Sequence, residues 1–266
     1  MVLNTQYDDR DPKLLATHDR LYVYSTSIVG PATTTNPQET YMVFTEDGQK
    51  WTHPVSAYRY NYGFWKPMEH QGAYYTAADI DVTPSNSRRI MQVELLRSKD
   101  GQFWQPVSVI TRDGKRTETA IVFLKDDVIL AICRQNVLAI ARPPYVEWQP
   151  VGADEGQRYQ VMPIGIPGPA AERVGNTVLV CCRGRKQEFP DDGPGQYRTA
   201  LFTLDPNDMS LRWHMNLPTQ WGGDQSCAGI LPLDEHRVLV SYYDGELYQK
   251  GIPKRSDIRL AELRVK

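Results

Sequence analysis

The sequence has almost no helical periodicity: apolar residues rarely recur at three- and four-residue spacing over the length a helix needs. It also lacks any run near the ~20 apolar residues of a membrane helix, so no membrane partner is expected. The N-terminus, Met1-Val-Leu-Asn-Thr-Gln-Tyr-Asp-Asp-Arg10, has no charged leader followed by an apolar stretch. No signal peptide is visible, and the expected location is cytoplasmic. Neither sign of charge dominates, with 30 basic against 32 acidic residues and a net charge of -2. That balance argues against a nucleic-acid partner or a polybasic membrane surface. The four cysteines, Cys133, Cys181, Cys182 and Cys227, form no Cys-x-x-Cys pair, so no zinc site is expected. Three of them lie inside apolar runs, where Cys behaves as a small buried hydrophobe in a reducing compartment. His18, His70 and His236 sit in turns, and neither a metal nor a cofactor is expected.

Tyr, Trp, Gly and Pro are plentiful, at 15, 6, 19 and 19 among 266 residues, as many strands and turns require. Two stretches are nearly one phrase: Thr45-Glu-Asp-Gly-Gln-Lys-Trp51 and Ser98-Lys-Asp-Gly-Gln-Phe-Trp104. A spacing of roughly 50 residues marks a repeat architecture. One run type recurs five times: Arg20–Thr26, Gly72–Ala78, Val128–Arg134, Thr177–Arg183 and Arg237–Tyr243. A polar turn precedes each, a further strand-like run follows, and Trp51, Trp104, Trp148 or Trp213 comes next in four units. The unit is therefore a four-stranded antiparallel meander, a propeller blade. Five units predict an all-β fold, a five-bladed β-propeller of four-stranded blades in one domain, residues 1–266. The last unit runs out after three strands, and Val2–Tyr7 is expected to supply the missing strand and cover the open edges. The Asp-Gly turns read as scaffold: hydroxyl and carboxylate satisfy turn donors, and Gly supplies positive φ.

In a propeller the innermost strands line a central channel, and antiparallel alternation brings strand-one starts and strand-two ends to one face. Those positions hold Arg10, Asp11, Trp65, Lys66, Glu118, Asp224 and Gln225, with Arg134, Arg183 and Tyr243 at strand-two ends. Arg198 opens a third strand. Separated carboxylates suit glycoside hydrolysis, one protonated toward the leaving oxygen and one ionised. Arginines bind a carboxylate bidentately, and Trp65 or Trp221 offers a stacking face for a sugar. Each has a plain alternative. Asp11-Pro12 also simply starts a strand, Glu118 also fits a solvated strand end, and Asp224 follows Gly222-Gly223 in a turn. Arg134, Arg183 and Arg198 also fit rim ion pairs, and Tyr243 also fits the core.

The two Asp-Gly phrases, with Arg10-Asp11-Pro12-Lys13, Gly168-Pro169, Arg198–Leu204, Gly222–Gly229 and Ser241–Tyr243, resemble the sialidase-like propeller superfamily over most of the chain. That resemblance implies a glycosidase, and the arginines make the expected substrate a small glycan that is acidic or otherwise recognised by arginine. The chain has room for five blades where sialidases have six, and it lacks the Phe-Arg-Ile-Pro phrase. Arg10-Asp11-Pro12 and five blades also resemble arabinanase and invertase-like propellers, although Lys66 stands where those use an acid. The reading is Glu118 as general acid, Asp11 or Asp224 as nucleophile or base supported by Tyr243, and Arg10, Trp65, Lys66, Arg134, Arg183, Arg198 and Gln225 binding carbohydrate. The alternatives are a non-catalytic propeller that binds glycan or protein, in which carboxylates pair off with arginines, and a lyase on uronic-acid polymers.

Overall fold

A computed structural model describes residues 2–29, 37–84, 87, 89–112, 117–134, 137–151, 165–185, 187–189, 191–246 and 255–265. The first sheet contains β1 (Asp8–Ala16), β2 (Leu21–Ile28), β3 (Gln38–Thr45) and β4 (Val55–Ser56). The second contains β5 (Tyr62–Phe64), β6 (Met68–His70), β7 (Ala73–Asp81), β8 (Met91–Ser98) and β9 (Trp104–Arg112), with β5 and β6 both paired to β7. The third contains β10 (Thr119–Phe123), β11 (Ile129–Cys133), β12 (Val137–Ala141) and β13 (Gln149–Pro150). The fourth contains β14 (Ala170–Val174), β15 (Thr177–Arg185), β16 (Tyr197–Leu204) and β17 (Leu211–Asn216). The fifth contains β18 (Gln225–Pro232), β19 (Arg237–Gly245) and β20 (Ser256–Arg264). Five successive antiparallel meanders make the all-β, five-bladed β-propeller fold that the repeats predict. No helix among the described residues is long and apolar enough to cross a membrane.

The chain divides into two compact units, Met1–Ile121 with Arg142–Trp148, and Val122–Ala141 with Gln149–Lys266. In the first, Leu15, Tyr22, Tyr24, Phe64, Leu96 and Trp104 share one core. Phe64 and Trp104 meet edge to face at 5.5 Å between ring centroids, a geometry the ring quadrupoles favour. In the second, Leu179, Cys181, Leu201, Leu217, Ile230, Val238 and Val240 pack together. The apolar runs of β11 and β15 are buried almost throughout, which is why they read as continuous rather than alternating. Cys133, Cys181 and Cys182 are all buried, and burial pushes the Cys182 thiol pKa up.

The repeated phrase folds the same way twice. Thr45 Oγ1 accepts from the N–H groups of Asp47 and Gly48, and Asp47 Oδ1 accepts from Gln49 and Lys50 at 2.8 Å each. Ser98 and Asp100 hold Asp100, Gly101, Gln102 and Phe103 identically. The copies differ in what lies beneath. The Gly101 carbonyl accepts from the buried Tyr24 hydroxyl and from Trp104 Nε1. A Cβ at Gly101 (φ 78°) would stand 3.1 Å from both Leu15 and Tyr22, whereas one at Gly48 (φ 74°) would meet nothing within 4 Å. Gly101→Ala therefore combines left-handed strain with overpacking, about 3 kcal/mol, against about 1 kcal/mol for Gly48→Ala. Urea titration of both variants checks this, and equal losses would refute the fastening role of the second turn.

The N-terminal run departs from expectation. Residues 2–7 form no strand, and the fifth sheet has three strands among the described residues. Thr5 is drawn instead onto the start of β1, its N–H and hydroxyl donating to the Asp9 carboxylate at 2.8 and 2.6 Å. Such a local turn competes with extended pairing. Trp213 likewise lies 40% exposed on β17, so that copy of the repeated Trp does not act as an inter-sheet wedge.

Candidate active site

The inner strand of every blade starts irregularly. β1 is bulged between Arg10 and Lys13, and Asp11 there has φ 49°. Positive φ is costly for any residue with a Cβ, and the following Pro12 disfavours helical backbone further. In the second blade Trp65-Lys66-Pro67 separates β5 from β6. Glu118, just before β10, has φ 41°, and Gly168, before β14, has φ 60°. β18 is bulged between Ser226 and Gly229, with Ser226 at φ 95°. Left-handed backbone at non-glycine residues collects at functional sites because the surrounding structure must be built to hold it. Asp11 and Glu118 both carry that signature.

The first unit joins these two residues through groups the sequence did not disclose. Strand β7 continues past Ala78 to Asp81, which places Asp79 beside Gly63 on β5. Gln38 Nε2 donates to Asp79 Oδ2 at 3.1 Å and to its carbonyl at 3.3 Å. A Cβ at Gly63 would strike the Gln38 amide at 2.7 Å, so glycine is needed for this approach. Burial, reinforced by the charge of Glu118, pushes the Asp79 carboxyl up to about 7; the Gln38 hydrogen bond and the charges of Arg89 and Lys13 oppose it. Lys13 in turn lies over the Trp65 ring, 4.3 Å from its centroid, and donates from Nζ to the Asp11 carbonyl. Glu118 and Lys13 are thus electrostatic neighbours of Asp79, and Lys13 also holds the Asp11 backbone carbonyl. Asp11 itself is exposed. Trp65 is only 7% exposed beneath Lys13, so it is a seat for a cation rather than an open sugar platform. Lys66 is half-buried in the β5–β6 break. Arg10 is exposed and paired with Asp8.

The second unit has a separate polar cluster. Arg183 donates from Nε to the Gln225 carbonyl at 2.8 Å and from Nη2 to the Tyr243 hydroxyl at 3.1 Å. It also pairs with Asp224 at 2.9 Å. Arg134 follows β11, half-buried. Two residues read from sequence as substrate-binding have structural work instead. Arg198 is fully buried: it pairs with Asp191 at 2.7 Å and donates to the carbonyls of Gly193, Pro194 and Tyr197. The Arg198 guanidinium holds the Asp191 carboxyl down at about 2. Gln225 is also fully buried, its amide donating to Thr219 and to Asp244 Oδ1. Asp244, equally buried, accepts from the backbone of Gln220, Trp221 and Gly222 and pairs with Arg259 at 3.0 Å. Sequence position alone put Arg198 and Gln225 on the right edge of their strands; the loops that close over them decide their burial.

No protein-family model and no curated protein matches the chain. Solved structures do. A protein of unknown function from Dyadobacter fermentans superposes over 99% of this chain and 79% of its own, at 19% identity and a TM-score of 0.69. A Hadza microbial sialidase matches 89% of this chain at 14% identity and a TM-score of 0.62, and this chain spans about half (50%) of its length. A GH43 endo-arabinanase from Bacillus licheniformis matches over 98% of this chain and 95% of its own, at 12% identity and a TM-score of 0.52. The likeness establishes a shared fold, and the two of these neighbours with a named activity are glycoside hydrolases.

Proposed function

We propose that the protein is a glycoside hydrolase whose chemistry is carried by Glu118 and Asp11 in the first unit. The observation that supports this most is the pair of carboxylates held in left-handed backbone at inner-strand starts and linked through Lys13 and Asp79. Glycoside cleavage needs one carboxyl that gives a proton to the leaving oxygen and one that stays ionised toward the anomeric carbon or a water. Glu118 takes the first role. Asp11 takes the second role, its backbone carbonyl held by Lys13. The substrate is a small glycan, and the fold neighbours make arabinosides and sialosides the first to try.

The reading is tested by incubating the protein with a panel of aryl glycosides and acidic oligosaccharides and assaying aryl release and reducing ends. Hydrolysis of at least one class is expected. Binding without turnover across the panel would favour a non-catalytic glycan-binding propeller, and an ultraviolet-absorbing unsaturated product would favour a lyase. The pairing of Asp224 with Arg183, of Arg198 with Asp191 and of Arg10 with Asp8 leans toward the non-catalytic reading.

A further inference from the structure

A bulge with φ 49° at a residue followed by proline does not hold itself. Asp11 and Pro12 fall outside the β1–β2 register, between the Arg10–Thr26 and Lys13–Tyr24 pairs. Backbone groups at such an irregularity are stabilised only if other partners meet them. Two side chains meet the carbonyls at this one. The hydroxyl of Ser25, itself 5% exposed, donates to the Arg10 carbonyl at 2.9 Å. Lys13 Nζ reaches back to the Asp11 carbonyl, and the ammonium rests 4.3 Å over the buried Trp65 ring. The ring fixes where the ammonium sits, and the ammonium fixes the peptide that carries Asp11. Cation–π attraction of this kind strengthens when the ring is desolvated.

The same device occurs independently in the second unit. Arg183 lies over the Tyr197 ring, 5.9 Å from its centroid, and donates to the Gln225 carbonyl, directly before Ser226 at φ 95°. In each case a cation seated on an aromatic ring grips the carbonyl next to the irregular start of an inner strand.

We infer that Lys13, seated on Trp65, is a positioning residue that holds the left-handed turn at Asp11 and thereby aims the Asp11 carboxylate. This inference rests on the proposed glycosidase reading for its effect on rate, but its geometric part stands without it. Lys13 touches neither substrate nor the reacting atoms in this account; it acts through the Asp11 peptide. Removing the ammonium lets that peptide relax toward an ordinary extended conformation and turns the carboxylate away. A shift of about 1 Å in a reacting group costs about 10²-fold in rate.

The test uses the full chain with Lys13→Met, Lys13→Arg, Asp11→Asn and Ser25→Ala. With an aryl glycoside that the parent hydrolyses, Lys13→Met should lower kcat about 10²-fold and leave KM within about threefold. Lys13→Arg, which keeps a cation over the ring, should recover most of the loss, and its pH–rate profile should match the parent's. Ser25→Ala, which removes the other support, should lower kcat in the same direction if Lys13→Met fails to fold. Parent-like kcat in a folded Lys13→Met variant would overturn the inference. Parent-like kcat in Asp11→Asn would instead overturn the glycosidase reading. Where no glycoside is turned over, crystal structures of the parent and of Lys13→Met decide: φ at residue 11 should leave the left-handed region in the variant, and a value unchanged near that of the parent overturns the proposal.

Discussion

Replacing Glu118 by Gln should abolish hydrolysis of glycosides with poor leaving groups while leaving the melting temperature within a degree or two of the parent. General acid assistance contributes about 10²–10⁴-fold, so the loss should fall in that range. Gln matches Glu in shape and keeps its hydrogen-bonding reach, but it has no proton to give at neutral pH. Glu118 is at a strand start, before the buried run Thr119–Phe123, and the isosteric change leaves that run untouched. Asp11→Asn should be impaired as deeply, and for every leaving group, because its role precedes or accompanies bond cleavage regardless of what departs. Steady-state rates on a matched pair of substrates, measured beside thermal melts, check both. Full activity in either variant removes that residue from the chemistry.

The pH dependence of stability should change when Asp79 is replaced by Asn. In the native protein Asp79 keeps its proton up to about 7, against an ordinary value of 3.8, chiefly because burial disfavours its charge and Glu118 adds to that. The unfolded chain releases this proton near pH 4. Between about pH 4 and 7 the unfolded state therefore binds fewer protons than the native state, and the contribution of Asp79 to stability falls as pH rises. A rise of this size corresponds to about 4 kcal/mol, fully present below pH 4 and lost by pH 7. Asn cannot ionise and keeps an oxygen for Gln38. Urea titrations of parent and variant from pH 4 to 8 should give a difference curve that climbs in favour of Asn through that window. Carboxyls held below their ordinary range, such as Asp191 beside Arg198, act with the opposite sign and cancel in the difference. A flat difference curve would show that folding leaves the Asp79 carboxyl at its ordinary value.

Much of the scaffold was legible because it is periodic. The recurring runs at Arg20, Gly72, Val128, Thr177 and Arg237 map onto the second strands β2, β7, β11, β15 and β19. The Asp-Gly phrases fold as the hydroxyl-plus-carboxylate turns their residues imply. The missing edge strand was not legible. Val2–Tyr7 has a strand-like pattern, but Thr5 finds a nearer partner in Asp9, and a local hydrogen bond leaves no trace in apolar periodicity. The strand-start rule pointed to Asp11 and Glu118, which the structure places at left-handed positions, and Asp-Pro hinted at a special backbone. It could not tell that Arg198 and Gln225 are closed over by loops, since burial of a charged residue depends on partners distant in sequence such as Asp191 and Asp244. Asp79 escaped because β7 runs three residues beyond its apolar stretch. Lys13 escaped because its role depends on Trp65 from another blade.

In the proposed reaction Glu118 and Asp11 divide acid and base or nucleophile work in one glycosidic cleavage. The most direct measurement is the dependence of rate on leaving group: kcat/KM for a dinitrophenyl glycoside and for an alkyl glycoside of the same sugar, with parent, Glu118→Gln and Asp11→Asn. A dinitrophenolate departs without a proton, so Glu118→Gln should keep most of its activity on that substrate and lose about 10²–10⁴-fold on the alkyl glycoside. Asp11→Asn should lose both. Equal loss on the two substrates in Glu118→Gln, or no loss on either, would contradict the assignment.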